Sequence, residues 1–119
     1  MITIGNDIVA ISRIRRILNN HGQRFIHRVF TADEQRHCLK FKDTASHFAG
    51  RFAAKEAIKK ALLQIKPHLK LSWRQINIAS RRDGAPQVEI DQVRSHLKIV
   101  CSIAHDGDYA TAFALVETT

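Results

Sequence analysis

A run of alanines interrupted by charge is the strongest constraint on this chain. Residues 48–62 read Phe-Ala-Gly-Arg-Phe-Ala-Ala-Lys-Glu-Ala-Ile-Lys-Lys-Ala-Leu. Ala45, Ala49, Ala53 and Ala57 recur every fourth residue, with Phe48 and Phe52 beside them. Such a small-residue ridge on a helix lets a neighbouring element approach closely. Glu56 falls on that face, between Phe52 and Ala53 on a wheel of about 100° per residue, with Lys60 one turn further along. A carboxylate in this place has two readings. It is an i, i+4 partner of Lys60 with both heads in solvent, worth about 0.3–0.5 kcal/mol. Or it is a ligand or base, held at the core edge because a metal or a cationic contact compensates its charge.

The rest of the chain bears on that choice. At 119 residues and 45% hydrophobic content, residues 1–119 fit a single folded domain. Nineteen Lys and Arg against eleven Asp and Glu give a net charge of +8. That balance points to an anionic partner: nucleic acid, an anionic membrane surface, a phosphorylated small molecule or an acidic protein. Cys38 and Cys101 lie in no metal-ligand spacing, so they are expected to be reduced packing thiols of a cytoplasmic protein. No apolar run approaches the roughly 18 residues of a membrane span, and the start lacks a basic segment followed by an apolar one, so neither secretion nor membrane insertion is expected.

In chain order, Ile2-Thr3-Ile4 alternate like a short strand ending at Gly5, which places Asp7 at a strand end, where it is also a good N-cap. Residues 8–19 carry Ile8, Ile11, Ile14 and Leu18 at helical spacing, with a break near Asn20, His21 and Gly22. From Ile8 to Ala32 there are five arginines and no acid, a one-signed stripe suited to an anionic surface. Thr31-Ala32-Asp33-Glu34 is a capping box for a helix to about Lys40. A longer helix is expected over residues 44–62, followed by a loop over 64–71 containing Pro67. Trp73, Ile76 and Ile78 predict a strand, residues 75–90 a hairpin around Asp83-Gly84, and Asp91 the start of a short helix to about Leu97. Ile99–Ile103 and Tyr109–Val116 predict a second hairpin, with His105 beside its turn as either an ordinary turn histidine or an anion contact. The fold class is therefore α+β: an antiparallel sheet of four or five strands packed by the long helix.

Three separated blocks, Gly5-Asn6-Asp7-Ile8-Val9, Arg51-Phe52-Ala53-Ala54-Lys55-Glu56-Ala57 with Lys60-Ala61, and Ser102-Ile103-Ala104-His105 with Tyr109-Ala110, resemble the 4'-phosphopantetheinyl transferases of the holo-[acyl carrier protein] synthase type. The turn at Asp83, Gly84 and Pro86 falls in the same order. The resemblance implies transfer of 4'-phosphopantetheine from coenzyme A to a serine of an apo acyl carrier protein, releasing adenosine 3',5'-bisphosphate. It implies a cytoplasmic trimer serving fatty acid biosynthesis, with no membrane or nucleic acid partner. Carried over by position, Asp7 and Glu56 would bind Mg2+, Lys60 would contact the reacting phosphates, and Arg51 and His105 would contact coenzyme A phosphates. Arg13, Arg24 and Arg28 would face an acidic carrier helix. Asp7, Glu56 and Lys60 are the implied catalytic group, and Glu56, or water it orients, is the candidate base.

The chain departs from the family pattern after Ala61. Leu62 keeps the usual aromatic or leucine, but Leu63-Gln64-Ile65 stands where Gly-Thr-Gly is usual; Asn6 replaces an apolar residue, Ala85 a cation and Ala104 a hydroxyl residue. Two alternatives follow: an impaired paralogue that binds carrier protein without efficient transfer, and a small basic RNA-binding protein. The second would need stacking aromatics, whereas Trp73 and Tyr109 are the only Trp and Tyr.

Overall fold

The computed structural model describes residues 1–93 and 96–119. Strand β1 (Ile2–Ala10) leads into helix α1 (Ile11–Val29), then α2 (Ala32–Leu39) and α3 (Thr44–Ile65). Strands β2 (Asn77–Ser80), β3 (Pro86–Glu89), β4 (Leu97–Asp106) and β5 (Tyr109–Thr118) follow. The class is α+β, as the patterning implies. Among the described residues, however, the five strands divide into two antiparallel sheets, β1-β5-β4 and β2-β3, rather than one.

The three-stranded sheet lies on α3 through its inward-facing residues. Thr3 and Val9 of β1 and Ala110, Ala112, Ala114 and Val116 of β5 are buried, while Ile2, Ile4 and Ile8 are exposed. On α3, Ala53, Ala54, Ala57 and Ala61 are fully buried. The approach is closest at Gly5, where a Cβ would stand 2.1 Å from the Ala57 carbonyl oxygen. It is nearly as close at Gly50, where a Cβ would meet Ile103 Cγ2 at 2.9 Å. Alanines on the helix and glycine at the crossing are thus one device, since together they let backbone pack on backbone. The Thr3 hydroxyl secures the crossing by donating to Ala61 O at 2.8 Å.

Several local expectations give way to tertiary pairing. β1 does not stop near Gly5: it pairs with β5 from Ile2–Glu117 to Ala10–Tyr109. Its inward-outward alternation continues through Asp7 and Val9, so the helical spacing of the isoleucines from Ile8 misleads. Asp7 is therefore a mid-strand residue opposite Ala112 and caps no helix; Ala10 precedes α1 without a side-chain cap. The interruption expected near residues 20–22 is present within α1: His21 is non-helical at φ −140°, ψ 31°, and two helical stretches meet there at a kink. Trp73 lies in a 3-10 turn (Trp73–Gln75) boxed by Ser72 and Gln75, not in a strand, and its ring stacks on Phe52 at 5.2 Å. Asp91–Val93 forms another such turn. Residues 94–95 of the expected helix there lie outside the described residues, and Leu97 already opens β4. Without glycines after Ala61, α3 runs on to Ile65, and Gln64 Nε2 there donates to Ile4 O at 2.7 Å.

Candidate active site

The β1–α3 crossing delivers one group of side chains. Two residues beyond Gly5, Asp7 meets Lys60, whose Nζ lies 3.1 Å from Asp7 Oδ1 and 3.0 Å from Asn6 O. The simple Glu56–Lys60 pair is thereby set aside, because Lys60 is spent on β1. Glu56 stands one helical turn before Lys60 and half-buried, and among the described residues no hydrogen bond or ion pair to it is formed. A cavity of about 530 Å³ opens beside Asp7 and Lys60 and runs over Ser102, Ala104 and Phe113. Among the described residues no three His, Cys, Asp or Glu side chains form a ready cation cage. Asp7 at the cavity, with Glu56 one turn from its partner Lys60 and unpaired among the described residues, suits Mg2+, which is usually held by one or two carboxylates with water and substrate phosphate completing the shell. Another cavity, of about 380 Å³, lies at the C-terminal end of α3 between Lys59, Leu62 and Leu69–Leu71. It has no carboxylate or imidazole, whereas a third, of about 340 Å³, is lined by Arg15, Asp43, His105, Asp106 and Asp108; the first is the one that takes in Asp7 and Lys60.

A second group gathers near the start of α3. Arg51 is 6% exposed; its Nη2 donates to Ser80 Oγ at 2.7 Å, and its Nε is buried without a hydrogen-bond partner. Ser80 Oγ in turn lies 2.9 Å from His37 Nδ1. His47 stacks on Phe41 with ring centroids 3.6 Å apart and meets His37 and His105 edge-on. His105 is exposed and close to Gly50, where a Cβ would come within 3.7 Å of its Cδ2. Burial, then the charges of Arg51, His47 and Lys40, push His37 down to about 4. Burial, then His105 and Arg51, lower His47 against the opposing pull of Asp43. Burial also lowers Arg51. Arg51 thus lacks an ion-pair partner among the described residues, while Asp43, Asp106 and Asp108 lie along a cavity on the His105 side.

The two groups sit on opposite sides of one helix. His47 and Glu56 are nine residues apart on α3, about 900° of winding, which leaves them half a turn apart around the axis and about 13 Å apart along it. His105 goes with His47 and Arg51, and Asp7 goes with Lys60, one turn after Glu56; within one chain the structure does not bring the two sets together.

The family model of the 4'-phosphopantetheinyl transferase superfamily matches residues 3–114. The chain belongs to that superfamily. It is an enzyme of the holo-[acyl-carrier-protein] synthase type, a transferase. The holo-[acyl-carrier-protein] synthase of Protochlamydia amoebophila is 46% identical over 116 residues, covering 94% of each chain. Among solved structures, the ACPS-CoA complex of Chronobacterium ammoniagenes superposes with a TM-score of 0.88 at 29% identity, covering 100% of this chain and 98% of that one. The Helicobacter pylori holo-[acyl-carrier-protein] synthase in complex with coenzyme A does so at 0.83 and 32%, covering 96% and 99%. For this transferase, then, the antiparallel α+β fold is common to the relatives.

The remaining expected residues, Arg13, Arg24 and Arg28, are all exposed on α1 and, among the described residues, make no ion pair. Arg15 is different, being held by Asp43 at 3.0 Å. What residue patterns missed is the Glu34–Lys55 pair. Lys55 Nζ lies 2.7 Å from Glu34 Oε1, both side chains fully buried, and donates to Val29 O and Trp73 O at 2.8 Å. Glu34 also accepts from the N–H groups of Thr31 and Ile78. Every polar atom of the pair has a partner, so it fastens α1, α2, α3 and β2 at the residue next to Glu56. The capping box disclosed Glu34 but gave no sign of its distant lysine. His37 and His47 were missed for the same reason.

Proposed function

We propose that this chain transfers 4'-phosphopantetheine from coenzyme A to a serine of an apo acyl carrier protein, releasing adenosine 3',5'-bisphosphate in a Mg2+-dependent reaction. The observation that carries the reading is the pairing of Asp7 with Lys60 at one cavity, with Glu56 one helical turn before Lys60 on α3. Asp7 and Glu56 would hold the metal, which supplies charge neutralisation at the phosphates. Lys60, already beside Asp7, reaches the oxygens on which charge grows as the pyrophosphate bond breaks. The serine oxygen bonds to the phosphorus on the pantetheine side, the bridging P–O bond opens, and the nucleotide leaves with that oxygen. Glu56, unpaired among the described residues, takes the serine proton directly or through water.

The binding surfaces follow from charge and exposure. Arg51 and His105 would take coenzyme phosphate, and Arg13, Arg24 and Arg28 an acidic carrier helix. The outer face of the β1-β5-β4 sheet exposes Ile4, Ile8, Val100 and Phe113 by 47% or more. An apolar face of this kind calls for cover, and a cyclic trimer would supply it. The Asp7 cavity borders that face at Phe113, so sites completed by a neighbouring subunit would reconcile the two groups on opposite sides of α3. Residues 1–119 would act as one catalytic domain. No helix among the described residues is long and apolar enough to cross a membrane, which is compatible with cytoplasmic work in fatty acid biosynthesis and without a nucleic acid partner.

Incubation with apo carrier protein, coenzyme A and Mg2+, followed by intact-mass measurement, tests this. A gain of one phosphopantetheine on the carrier, lost with a chelator, is expected. Carrier binding with no mass gain under any divalent cation would refute transfer.

A further inference from the structure

Arg51 is a buried guanidinium with one hydrogen bond, an unpartnered Nε and, among the described residues, no carboxylate within ion-pair distance. A buried charge without a counter-ion is costly, so the position calls for an anion from outside the chain. The imidazoles around it are not equivalent. Burial and the cations Arg51, His47 and Lys40 keep His37 neutral; Ser80 Oγ accepts from Arg51 Nη2 and shares its other hydrogen bond with His37 Nδ1, which ties that imidazole in place. His47 has no such tether. It lies one turn before Arg51, with Phe41 stacked on one face and His37 and His105 at its edges. The charged and titratable groups around it are Arg51 on α3 and Asp43 at its N-cap, His37 on α2 with Lys40 at that helix's C-cap, and His105 on β4, with Asp106 and Asp108 lining a cavity beside His105 and Asp43. Asp43 is itself paired with Arg15 of α1. Burial, joined by His105 and Arg51, outweighs the pull of Asp43 and favours the neutral His47 imidazole until an anion arrives.

We infer that His47 is a further coenzyme-binding residue, which takes up a proton as the phosphomonoester of coenzyme A settles on Arg51, with His37 and His105 as flanking donors. This rests on the proposed placement of coenzyme phosphate at Arg51. By linkage, a site that gains one proton on binding loses up to about tenfold in affinity per pH unit once the imidazole must be charged from the neutral form. The phosphomonoester loses its own second proton near pH 6, so above about pH 6.5 the pH dependence reports the protein. Preference for coenzyme A over 3'-dephospho-coenzyme A should therefore fall as pH rises.

The test is calorimetric titration of both compounds into the full-length protein between about pH 6.5 and 8.5, in buffers of differing ionisation enthalpy. For the unaltered chain, coenzyme A should take up about half to one proton more than the dephospho compound, and the preference should drop about threefold or more over that range. His47→Phe keeps the stack on Phe41 and should abolish the extra proton uptake, leaving a smaller preference that is flat with pH. His47→Lys, a fixed charge, should keep the preference and also flatten it. Affinity for the dephospho compound should stay within about twofold throughout. A preference that is flat with pH in the unaltered chain, or a slope that persists in His47→Phe, overturns the inference. Equal affinity for the two compounds at every pH would remove the Arg51 placement itself, a distinguishable failure.

Discussion

Adding one methyl group at Gly5 should damage both fold and chemistry. In Gly5→Ala the new Cβ would sit 2.1 Å from Ala57 O, 3.0 Å from Ala61 N and 3.1 Å from Ala57 C. All three are backbone atoms, so no side chain can swing away, and β1 must lift off α3 by about 1 Å to reach ordinary contact. Overpacking of this kind costs about 1–3 kcal/mol. Loosening the buried Thr3–Ala61 hydrogen bond adds about 1 kcal/mol. A total near 3 kcal/mol lowers the melting temperature of a domain this size by roughly 10–15 °C. Asp7 rides on the same strand, so its displacement from Lys60 should cost about 100-fold in kcat/KM for transfer. Gly22→Ala is the control, since nothing lies within 4 Å of its Cβ position, and it should be neutral or mildly stabilising. Calorimetric melting and the mass-based transfer assay give both readouts. A Gly5→Ala protein that melts within about 2 °C of the unaltered chain and transfers normally would refute the idea that this crossing sets the site.

Three other outcomes follow. Lys55→Met, by leaving Glu34 buried and uncompensated, should cost about 3–5 kcal/mol in urea unfolding, and Glu34→Leu in the same chain should restore part of it. Arg24→Glu should raise the KM for carrier protein several-fold and weaken its salt dependence, while kcat at saturating carrier stays put. His37 titrates near 4 when folded, against 6.5 for the free side chain, so between those values the unfolded chain binds the extra proton. Stability is full above about pH 6.5 and falls as pH drops towards 4, by about 1 kcal/mol after solvent screening. Urea midpoints at the two ends of that range should converge in His37→Gln.

The fold class and most of α2, α3 and the β4-β5 hairpin were legible because each rests on local chemistry: the Thr31–Glu34 box, the alanine ridge, and two apolar runs around a glycine turn. β1 was not, since its pairing to β5 is decided by residues more than a hundred positions away, and Ile8 and Ile11 fit a helix equally well. Trp73 misled for a related reason, its ring being held by Phe52 rather than by strand neighbours. At the site, Asp7, Glu56 and Lys60 could be singled out by motif, but not the ion pair of Lys60 to Asp7. The histidines at 37 and 47 have no local signature, because only folding brings α2, α3 and β4 to one place.

The division of the two groups across α3 makes complementation the most direct test of a site shared between subunits. Glu56→Gln and His105→Ala proteins, each confirmed as a trimer by sedimentation and each inactive alone, are mixed in equal amounts and their subunits exchanged, with a mass tag verifying exchange. If Glu56 of one subunit works with His105 of its neighbour, about a quarter of interfaces draw an intact copy of each, and about a quarter of full transfer activity should return. No recovery despite verified exchange would contradict the account, because each site would then be built within a single chain.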